Sequence, residues 1–241
     1  SGYISGYVPI GAMGLLPGLF KDPDEFFKGY EVLKPIIDRE FEKRGILILG
    51  VYTYPEQMIW GTREIKSLDD LKGKTLRVST SETAAFAKAF GAVPVTIATP
   101  DVAPALQRGA VQYVITAAAS GGRLWRDSFK SGLLDTINIA PGWIMISKKR
   151  YDSLSPDEQA AVRKAAEENA KWITQTMRDD NAVAIKEFAE KDKWTITPQT
   201  EADQARIRTA MEPVWRQWAE ERGPEAVKTL PELLKAIDQA K

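Results

Sequence analysis

A succession of short strands and helices between Thr75 and Thr116 constrains the fold of this chain more than any other feature. The predicted strands cover residues 75–79, 94–98 and 111–116, and the predicted helices cover residues 82–90 and 99–109. Each link between them is only a few residues long. Because parallel strands are joined through a crossover such as a helix, this β-α-β-α-β order predicts a parallel sheet in an α/β fold.

The first of these strands carries an arginine where α/β sheets bind ligands. Side chains alternate between the two faces of a strand, and Arg77 lies on the polar face. Ser79 stands at the carboxyl end, and Ser81 is predicted to cap the helix that begins at Glu82. Ligands of open α/β sheets bind outside the carboxyl ends of the strands. Arg77 and Ser79 are therefore candidates for holding a carboxylate, since a guanidinium forms paired hydrogen bonds with one.

The sequence around this strand resembles the signature of a transport family. Asp-Leu-Lys-Gly-Lys-Thr-Leu-Arg-Val at 70–78 is similar to the motif of the solute-binding proteins of TRAP (tripartite ATP-independent periplasmic) transporters, the DctP-like family. The resemblance runs from about Gly6 to the late helices. Three further segments carry it: Gly-Tyr-Val-Pro at 6–9, Ala-Leu-Gln-Arg-Gly-Ala-Val at 105–111, and Ile-Ser-Lys-Lys-Arg-Tyr-Asp-Ser-Leu at 146–154.

The resemblance implies a periplasmic binding protein of type II-like fold, in which two α/β domains surround a cleft and a long helix lies in the carboxyl-terminal part. It implies that residues 1–52 belong to domain one, 53–138 form domain two, and 139–241 return to domain one. It further implies that Arg77 pairs with the carboxylate of a small organic acid. The protein would then work in the periplasm with the membrane permease subunits of a TRAP transporter.

The opening of the chain bears on the completeness of domain one. Residues 1–20 are rich in glycine and aliphatic side chains, and they are predicted to form a loop across a buried surface. In the family that the chain resembles, this stretch follows the first strands of domain one. The resemblance therefore implies that further βα units precede Ser1. A divergent protein that begins here is the alternative.

The resemblance also extends the candidate ligand site. In the family, an asparagine or threonine just beyond the last of these strands commonly contacts the ligand, and Thr116 and Ser120 stand at matching positions here. Gln57 occupies the position where some members place a second arginine. Three aromatic residues complete the candidate site: Tyr54, Trp125 and Trp143.

Ordinary structural roles are the alternatives for these residues. Arg77 would instead form an ion pair with Asp70 or Glu82. The candidate glutamine would be a solvated edge residue, and the aromatic side chains would pack in the core. The acidic pairs Asp69-Asp70 and Asp179-Asp180 are predicted to be solvated, because adjacent side chains diverge and do not converge into a catalytic or metal-binding dyad.

Composition excludes several kinds of chemistry. The 241 residues contain no histidine and no cysteine, which excludes a His-containing triad, a thiol nucleophile and a His-based zinc site. No Gly-rich phosphate motif is present, so the sequence indicates no cofactor and no metal. Lys plus Arg and Asp plus Glu both number 33, which gives no indication of nucleic-acid binding. No apolar run approaches the roughly 18 residues of a membrane-spanning helix, so no stable membrane insertion is predicted.

These exclusions leave three functions from different classes. A binding protein for transport is the first, since the sequence offers a cation for an acid but no group that would catalyse a reaction. A ligand sensor that serves a signalling partner is the second, and the sequence does not separate it from transport. An enzyme on the same scaffold is the third, and the missing histidine and cysteine argue against it.

Capping residues and apolar runs predict the remaining elements. Helix starts are predicted at Asp22, Ser155, Thr200 and about Pro231. The helix from Ser155 is predicted to be long and to run towards Lys191. Strands are predicted at 46–51, 133–139, 143–147 and 193–197. The unbroken apolar run of the first of these is typical of a buried strand in a parallel sheet.

Overall fold

The computed structural model describes residues 8–238, which contain two sheets with helices packed around them. The strands are β1 (Ile46–Thr53), β2 (Gln57–Gly61), β3 (Thr75–Val78), β4 (Val93–Thr96), β5 (Tyr113–Thr116), β6 (Ser131–Asn138), β7 (Pro141–Ser147) and β8 (Thr195–Thr197). The α-helices are α1 (Pro23–Glu42), α2 (Ser81–Ala89), α3 (Thr99–Gln107), α4 (Lys148–Asp152), α5 (Pro156–Glu190), α6 (Glu201–Arg222) and α7 (Pro224–Asp238). This mixed α/β architecture confirms the predicted fold class.

The larger sheet has six strands in the order β4-β3-β5-β2-β6-β8. β3 pairs in parallel with both β4 and β5, which confirms the predicted parallel succession. β2 pairs antiparallel with β5 and β6, and β6 pairs in parallel with β8. Because β3, β4 and β5 run in the same direction, their carboxyl ends lie at one edge of the sheet.

The smaller sheet consists of β1 and β7, which pair antiparallel. The prediction of a parallel strand at 46–51 is therefore wrong in direction. Its apolar run has another cause, because both faces of β1 are covered. Leu49 packs with Ala166 of α5, whereas Ile46 and Ile48 pack against the main core that contains α1 residues. Burial on two faces produces a continuous apolar run whatever the direction of the neighbouring strand.

The 35-residue helix α5 packs against both sheets. It begins at a capping box in which Ser155 and Glu158 exchange hydrogen bonds, as predicted. Ala166 lies in the cluster of the smaller sheet, and Ala184 and Phe188 lie in a cluster with residues of the larger sheet. α5 therefore fixes the position of one sheet relative to the other.

The described part of the opening is a buried segment that packs under α6. Apart from Pro9, residues 8–20 are buried, and Pro9–Leu15 forms a 3-10 helix in place of the predicted loop. The Trp215 indole N–H of α6 donates to the Pro17 carbonyl oxygen at 2.8 Å. Glycines allow this packing, since a Cβ on Gly14 would lie 3.4 Å from the Phe26 ring. The expectations for residues 1–7 lie outside the described residues.

The last two helices differ from the prediction at one boundary. α7 begins at Pro224, whereas the start was predicted near Pro231. Gly223 has a φ of 98° and ends α6, and Pro224 then takes the first helical position, where its missing N–H costs nothing. Pro231 lies inside the helix because Leu230 and Leu233 bury the same face on both sides of it. Packing therefore outweighs the one hydrogen bond that a proline removes.

Candidate ligand-binding cleft

A cleft of about 1060 Å³ lies at the carboxyl ends of the parallel strands. Its walls come from residues that follow β3, β4 and β5, from the first turns of α2 and α3, and from α5. The segments that connect β1 to β2 and β6 to β7 complete the wall through Tyr54, Pro55 and Ala140. These two segments are hydrogen-bonded to each other, because the Tyr54 N–H donates to the Ala140 carbonyl oxygen at 2.8 Å.

Arg77 lines this cleft and is held in a defined orientation. It lies on β3, and only 6% of the residue is exposed. Its Nε and Nη2 both donate to the Ile97 carbonyl oxygen, at 3.0 and 2.9 Å. The guanidinium carbon also lies 5.7 Å from the centroid of the Trp125 ring. A guanidinium has five N–H donors, so three are left for a ligand.

The charge of Arg77 has no acidic partner among residues 8–238. Asp70 instead accepts hydrogen bonds from the backbone N–H groups of Lys66 and Ser67, and no salt bridge joins Arg77 to Glu82. The alternative role for Arg77, a structural ion pair, is therefore not found among the described residues. Burial lowers the pKa of the Arg77 guanidinium, but a guanidinium stays protonated in proteins. A buried, uncompensated cation is costly and favours an anion beside it.

Two helix N-termini add to the positive character of this wall. α2 begins at Ser81, and its cap is Thr80 and not the predicted Ser81, because the Thr80 side chain accepts from the Thr83 N–H. α3 begins at Thr99 after Ala98, which supplies no side-chain cap. Unpaired N–H groups at a helix N-terminus attract anions. The arginine and both helix N-termini therefore favour an anion, whereas the carboxylate of Glu82 in the first turn of α2 opposes one.

Five of the eight predicted site residues line the cleft: Tyr54, Gln57, Arg77, Ser79 and Ser120. Ser79 and Ser120 are exposed at its surface. The Tyr54 hydroxyl lies 3.4 Å from that of Tyr52, and this hydrogen bond raises the pKa of Tyr52 to about 12. The Gln57 side-chain amide donates to the Pro55 carbonyl oxygen at 3.1 Å. The cleft thus combines one buried cation with hydroxyl and amide groups.

The other three predicted residues lie away from the cleft surface. Thr116 is buried at the end of β5, next to the lining residues Ile115 and Ala117. Trp125 lies beneath the Arg77 guanidinium, so it positions the cation and is not itself a lining residue. Trp143 lies in the main core, where its indole N–H donates to the Tyr30 hydroxyl at 3.1 Å.

Most of the lining was not anticipated from the sequence, including the charged residues Glu82, Asp180 and Arg222 and the amide of Asn138. Asn138 ends β6, and because this strand also contains Ser131, Asp135 and Thr136, no pattern in the sequence singles it out. Arg222 ends α6 and stacks on Trp218, with its guanidinium carbon 5.1 Å from the ring centroid. No local pattern distinguishes Arg222 from other arginines, because only the packing of α6 brings it to the cleft.

The acidic pairs do not form a metal or catalytic centre. Asp69 forms an exposed ion pair with Arg206, and Asp180 pairs with Arg123 at 2.7 Å. Across the part of the chain that the structure describes, no three potential metal-ligating side chains come together. Within the same residues, no helix is long and apolar enough to cross a membrane.

Two sheets joined by a long helix, with a cleft at the carboxyl ends of the strands, are typical of the type II-like fold of periplasmic binding proteins. The family comparison agrees with this class. Residues 1–222 match the family described as bacterial extracellular solute-binding protein, family 7 (DctP), and the chain belongs to that family. The predicted resemblance is confirmed.

Individual relatives are similar over most of the chain. A solute-binding protein of Sulfitobacter sp. (strain NAS-14.1) is 29% identical over 188 residues, which are 76% of this chain and 56% of that protein. The chain thus spans little more than half the length of this curated relative.

Solved structures show the same fold. DctP7 of Bordetella pertussis, an extracytoplasmic solute receptor binding pyroglutamic acid, superposes with a TM-score of 0.81 at 21% identity, over 96% of this chain and 77% of that one. A TRAP periplasmic solute-binding protein of Sulfitobacter sp. NAS-14.1 with bound α-D-taluronate has a TM-score of 0.78 at 25% identity, over 97% of this chain and 75% of that one.

Proposed function

We propose that this chain is the solute-binding component of a TRAP transporter and captures a small organic acid in the cleft. It acts in the periplasm and delivers the acid to the membrane permease subunits of the transporter. Membership of the extracellular solute-binding family 7 supports this role. The segments 1–52, 53–138 and 139–241 are proposed as the parts of two domains that close on the solute about the crossing segments.

One observation carries the choice of ligand class, namely the buried Arg77 with no acidic partner among the described residues. A carboxylate would compensate its charge and accept a pair of hydrogen bonds from the free N–H groups. The N-termini of α2 and α3 favour the same charge. We assign Arg77 as the principal carboxylate contact, with Ser79, Ser120, Gln57 and Tyr54 as further contacts.

The solutes of two structural neighbours support the size and charge of the proposed ligand. Pyroglutamic acid and taluronate are both small molecules with one carboxyl group. An uncharged sugar would not compensate the buried charge of Arg77, which one carboxylate is enough to balance, whereas Arg222, which also lines the cleft, is exposed to water. The proposed ligand is therefore a small monocarboxylic acid.

The proposal includes binding without chemical conversion. The chain has no histidine or cysteine, and the lining hydroxyl of Ser81, which donates to the Glu82 carboxylate at 3.2 Å, has only a partly exposed carboxylate beside it, which is a weak base. A bound acid would therefore be released unchanged. Incubation of the protein with a bound acid, followed by mass spectrometry, checks this, and product formed in proportion to protein would contradict it.

Arg77→Ala tests the carboxylate assignment by titration calorimetry. The substitution is expected to abolish measurable binding of pyroglutamate or a uronate, because loss of a charge-assisted pair in a closed cleft costs about 2–5 kcal/mol. Arg77→Lys is expected to recover only part of the affinity, since an ammonium lacks the planar fork.

Arg216→Ala is the matched control. Arg216 is exposed on α6 and pairs with Glu212, away from the cleft lining. Arg216→Ala removes the same positive charge as Arg77→Ala, and its affinity for the acid should equal that of wild type. Equal affinity of Arg77→Ala and wild type would show that the carboxylate binds elsewhere.

A further inference from the structure

Two residues with side-chain amides lie on neighbouring strands at the cleft. In the antiparallel pairing of β2 with β6, Gln57 lies opposite Asn138. The register of this pairing shifts between Gln57 and Ile59, so the two residues are brought together at an irregular end of the ladder. Both residues belong to the cleft wall. We call them the amide pair.

Both amide nitrogens are already committed to backbone carbonyl groups. The Asn138 Nδ2 donates to the Leu15 carbonyl oxygen at 3.3 Å, and the Gln57 Nε2 donates to the Pro55 carbonyl oxygen at 3.1 Å. A carbonyl oxygen only accepts hydrogen bonds, so the nitrogen end of each amide must face it. This chemistry fixes which end of each side chain is free.

The free ends are acceptors that lack a donor. Asn138 is 7% exposed, and its Oδ1 is buried without a hydrogen-bond partner. Among residues 8–238, no side-chain hydrogen bond reaches the Gln57 Oε1. Buried polar atoms in native proteins are nearly always satisfied, so an orphan acceptor in a cleft wall indicates a missing donor.

We propose that the amide pair is a specificity subsite that accepts hydrogen bonds from hydroxyl or N–H groups of the bound acid. Together with Arg77 it selects monocarboxylates that carry such donors. The inference rests on the proposed function, because it assumes that Arg77 holds the carboxylate.

The same subsite disfavours two other kinds of acid. A second carboxylate would bring negative charge against two carbonyl oxygens, which repels it. A plain alkyl chain would leave the Asn138 Oδ1 unsatisfied while displacing water from the cleft. Sites built to accept hydrogen bonds reject analogues that lack the donor, often by large factors.

Two sets of matched acids test the selection by calorimetry. Gluconate, hexanoate and adipate have six carbons and differ in hydroxyl groups and in a second carboxylate. Pyroglutamate and cyclopentanecarboxylate share a five-membered ring and differ in the lactam. For wild type, the donor-bearing acid of a set is expected to bind at least about tenfold tighter than its partners, the effect of one or two satisfied hydrogen bonds.

Substitution of either amide should reduce this selectivity. Asn138→Leu keeps the branched shape and the number of side-chain heavy atoms but removes the acceptor, and the affinity ratio within a set should fall by about tenfold. Gln57→Leu provides a second, less buried position in case Asn138→Leu does not fold. Asn169→Leu is the matched control, because its amide also donates to a backbone carbonyl but is exposed on α5, and its ratio should equal that of wild type.

The outcomes separate this inference from the proposed function. Equal, Arg77-dependent binding of donor-bearing and donor-free acids would overturn the subsite and leave the carboxylate site standing. Tightest binding of adipate, or unchanged ratios in both Leu variants, would also overturn it. Failure of wild type to bind any acid of either set would overturn the subsite together with the carboxylate site on which it rests.

Discussion

Two buried ionisable side chains, Arg77 and Asp135, have no ion-pair partner among the described residues, and their settings differ. Arg77 borders the cleft, where a solute can compensate its charge. Asp135 lies on β6, is 0% exposed, and neither of its carboxyl oxygens has a hydrogen-bond partner. An enclosed carboxyl group avoids the cost of burial by taking up a proton. The first arrangement therefore favours binding, and the second makes stability depend on pH.

The environment of Asp135 sets the direction of that dependence. Burial first, and then the nearby charge of Asp203, raise the pKa of Asp135 from 3.8 to about 6. The backbone of Thr200, which precedes α6, and the side chain of Gln204 on α6 oppose this rise in pKa. Neither makes a hydrogen bond of good geometry to Asp135. Asp135 therefore loses its proton at a lower pH in the unfolded chain than in the folded protein. The free energy of unfolding falls as the pH rises from about 4 to about 6.

Asp135→Asn should remove this loss. Between pH 4 and pH 7, the variant is expected to gain about 2–3 kcal/mol in the free energy of unfolding relative to wild type, the equivalent of about two pKa units. Urea unfolding across this range measures the difference. Asp127→Asn, at an exposed position, controls for the loss of a charge alone. Parallel stability curves for wild type and Asp135→Asn would contradict the prediction.

At the scale of elements, the contact between β1 and α5 depends on small residues. The pairing of β1 with β7 shifts register between Ile48 and Gly50, which places one extra residue in β1. A Cβ on Gly50 would lie 2.9 Å from the Ala166 carbonyl oxygen and 3.1 Å from the Ala170 Cβ. The strand therefore touches the backbone of the helix, and this close approach joins the smaller sheet to the element that also carries the larger one.

Gly50→Ala should separate β1 from α5. The added methyl group would meet helix backbone, which cannot rotate away, and overpacking of this kind costs about 1–3 kcal/mol. Gly11→Ala makes the same substitution at a position where the nearest atom is 3.8 Å away, and it should cost less. Chemical denaturation compares the two variants. An equal or smaller loss for Gly50→Ala would show that the strand and helix adjust freely.

At the scale of the whole molecule, the cleft and the two sheets are coupled. α5 packs on the smaller sheet through Ala166 and on the larger sheet cluster through Ala184 and Phe188. The Thr53 N–H also donates to the α5 Thr174 Oγ1 at 3.1 Å, next to the crossing between β1 and β2. The two units are therefore expected to unfold together.

A bound acid should stabilise the molecule as one unit. At a concentration of 100 times its Kd, the acid adds about 2.7 kcal/mol by mass action. For a chain of this size, that corresponds to an increase of about 5–10 °C in Tm. Differential scanning calorimetry should show one transition that moves in wild type and stays in place in Arg77→Ala. Two transitions, of which only one moves, would show that the units unfold independently.

The sequence by itself determined the local elements and the principal charge of the site. Asp22, Ser155 and Thr200 cap their helices as predicted, because capping depends on residues three positions apart. The parallel succession around Arg77 follows from short links and alternating patterns. The position of Arg77 at a strand end is likewise a local property, and the same holds for Ser79.

Tertiary structure alone decided which distant residues meet. The apolar run of β1 reports burial on two faces and carries no information on the direction of β7. Asn138 became an orphan acceptor only because Leu15 takes its amide nitrogen and β6 ends at the cleft. Trp143 is aromatic like the other candidate ligand contacts, yet its side chain packs in the main core. Contacts between remote segments depend on packing of whole elements, and no short pattern in the chain encodes them.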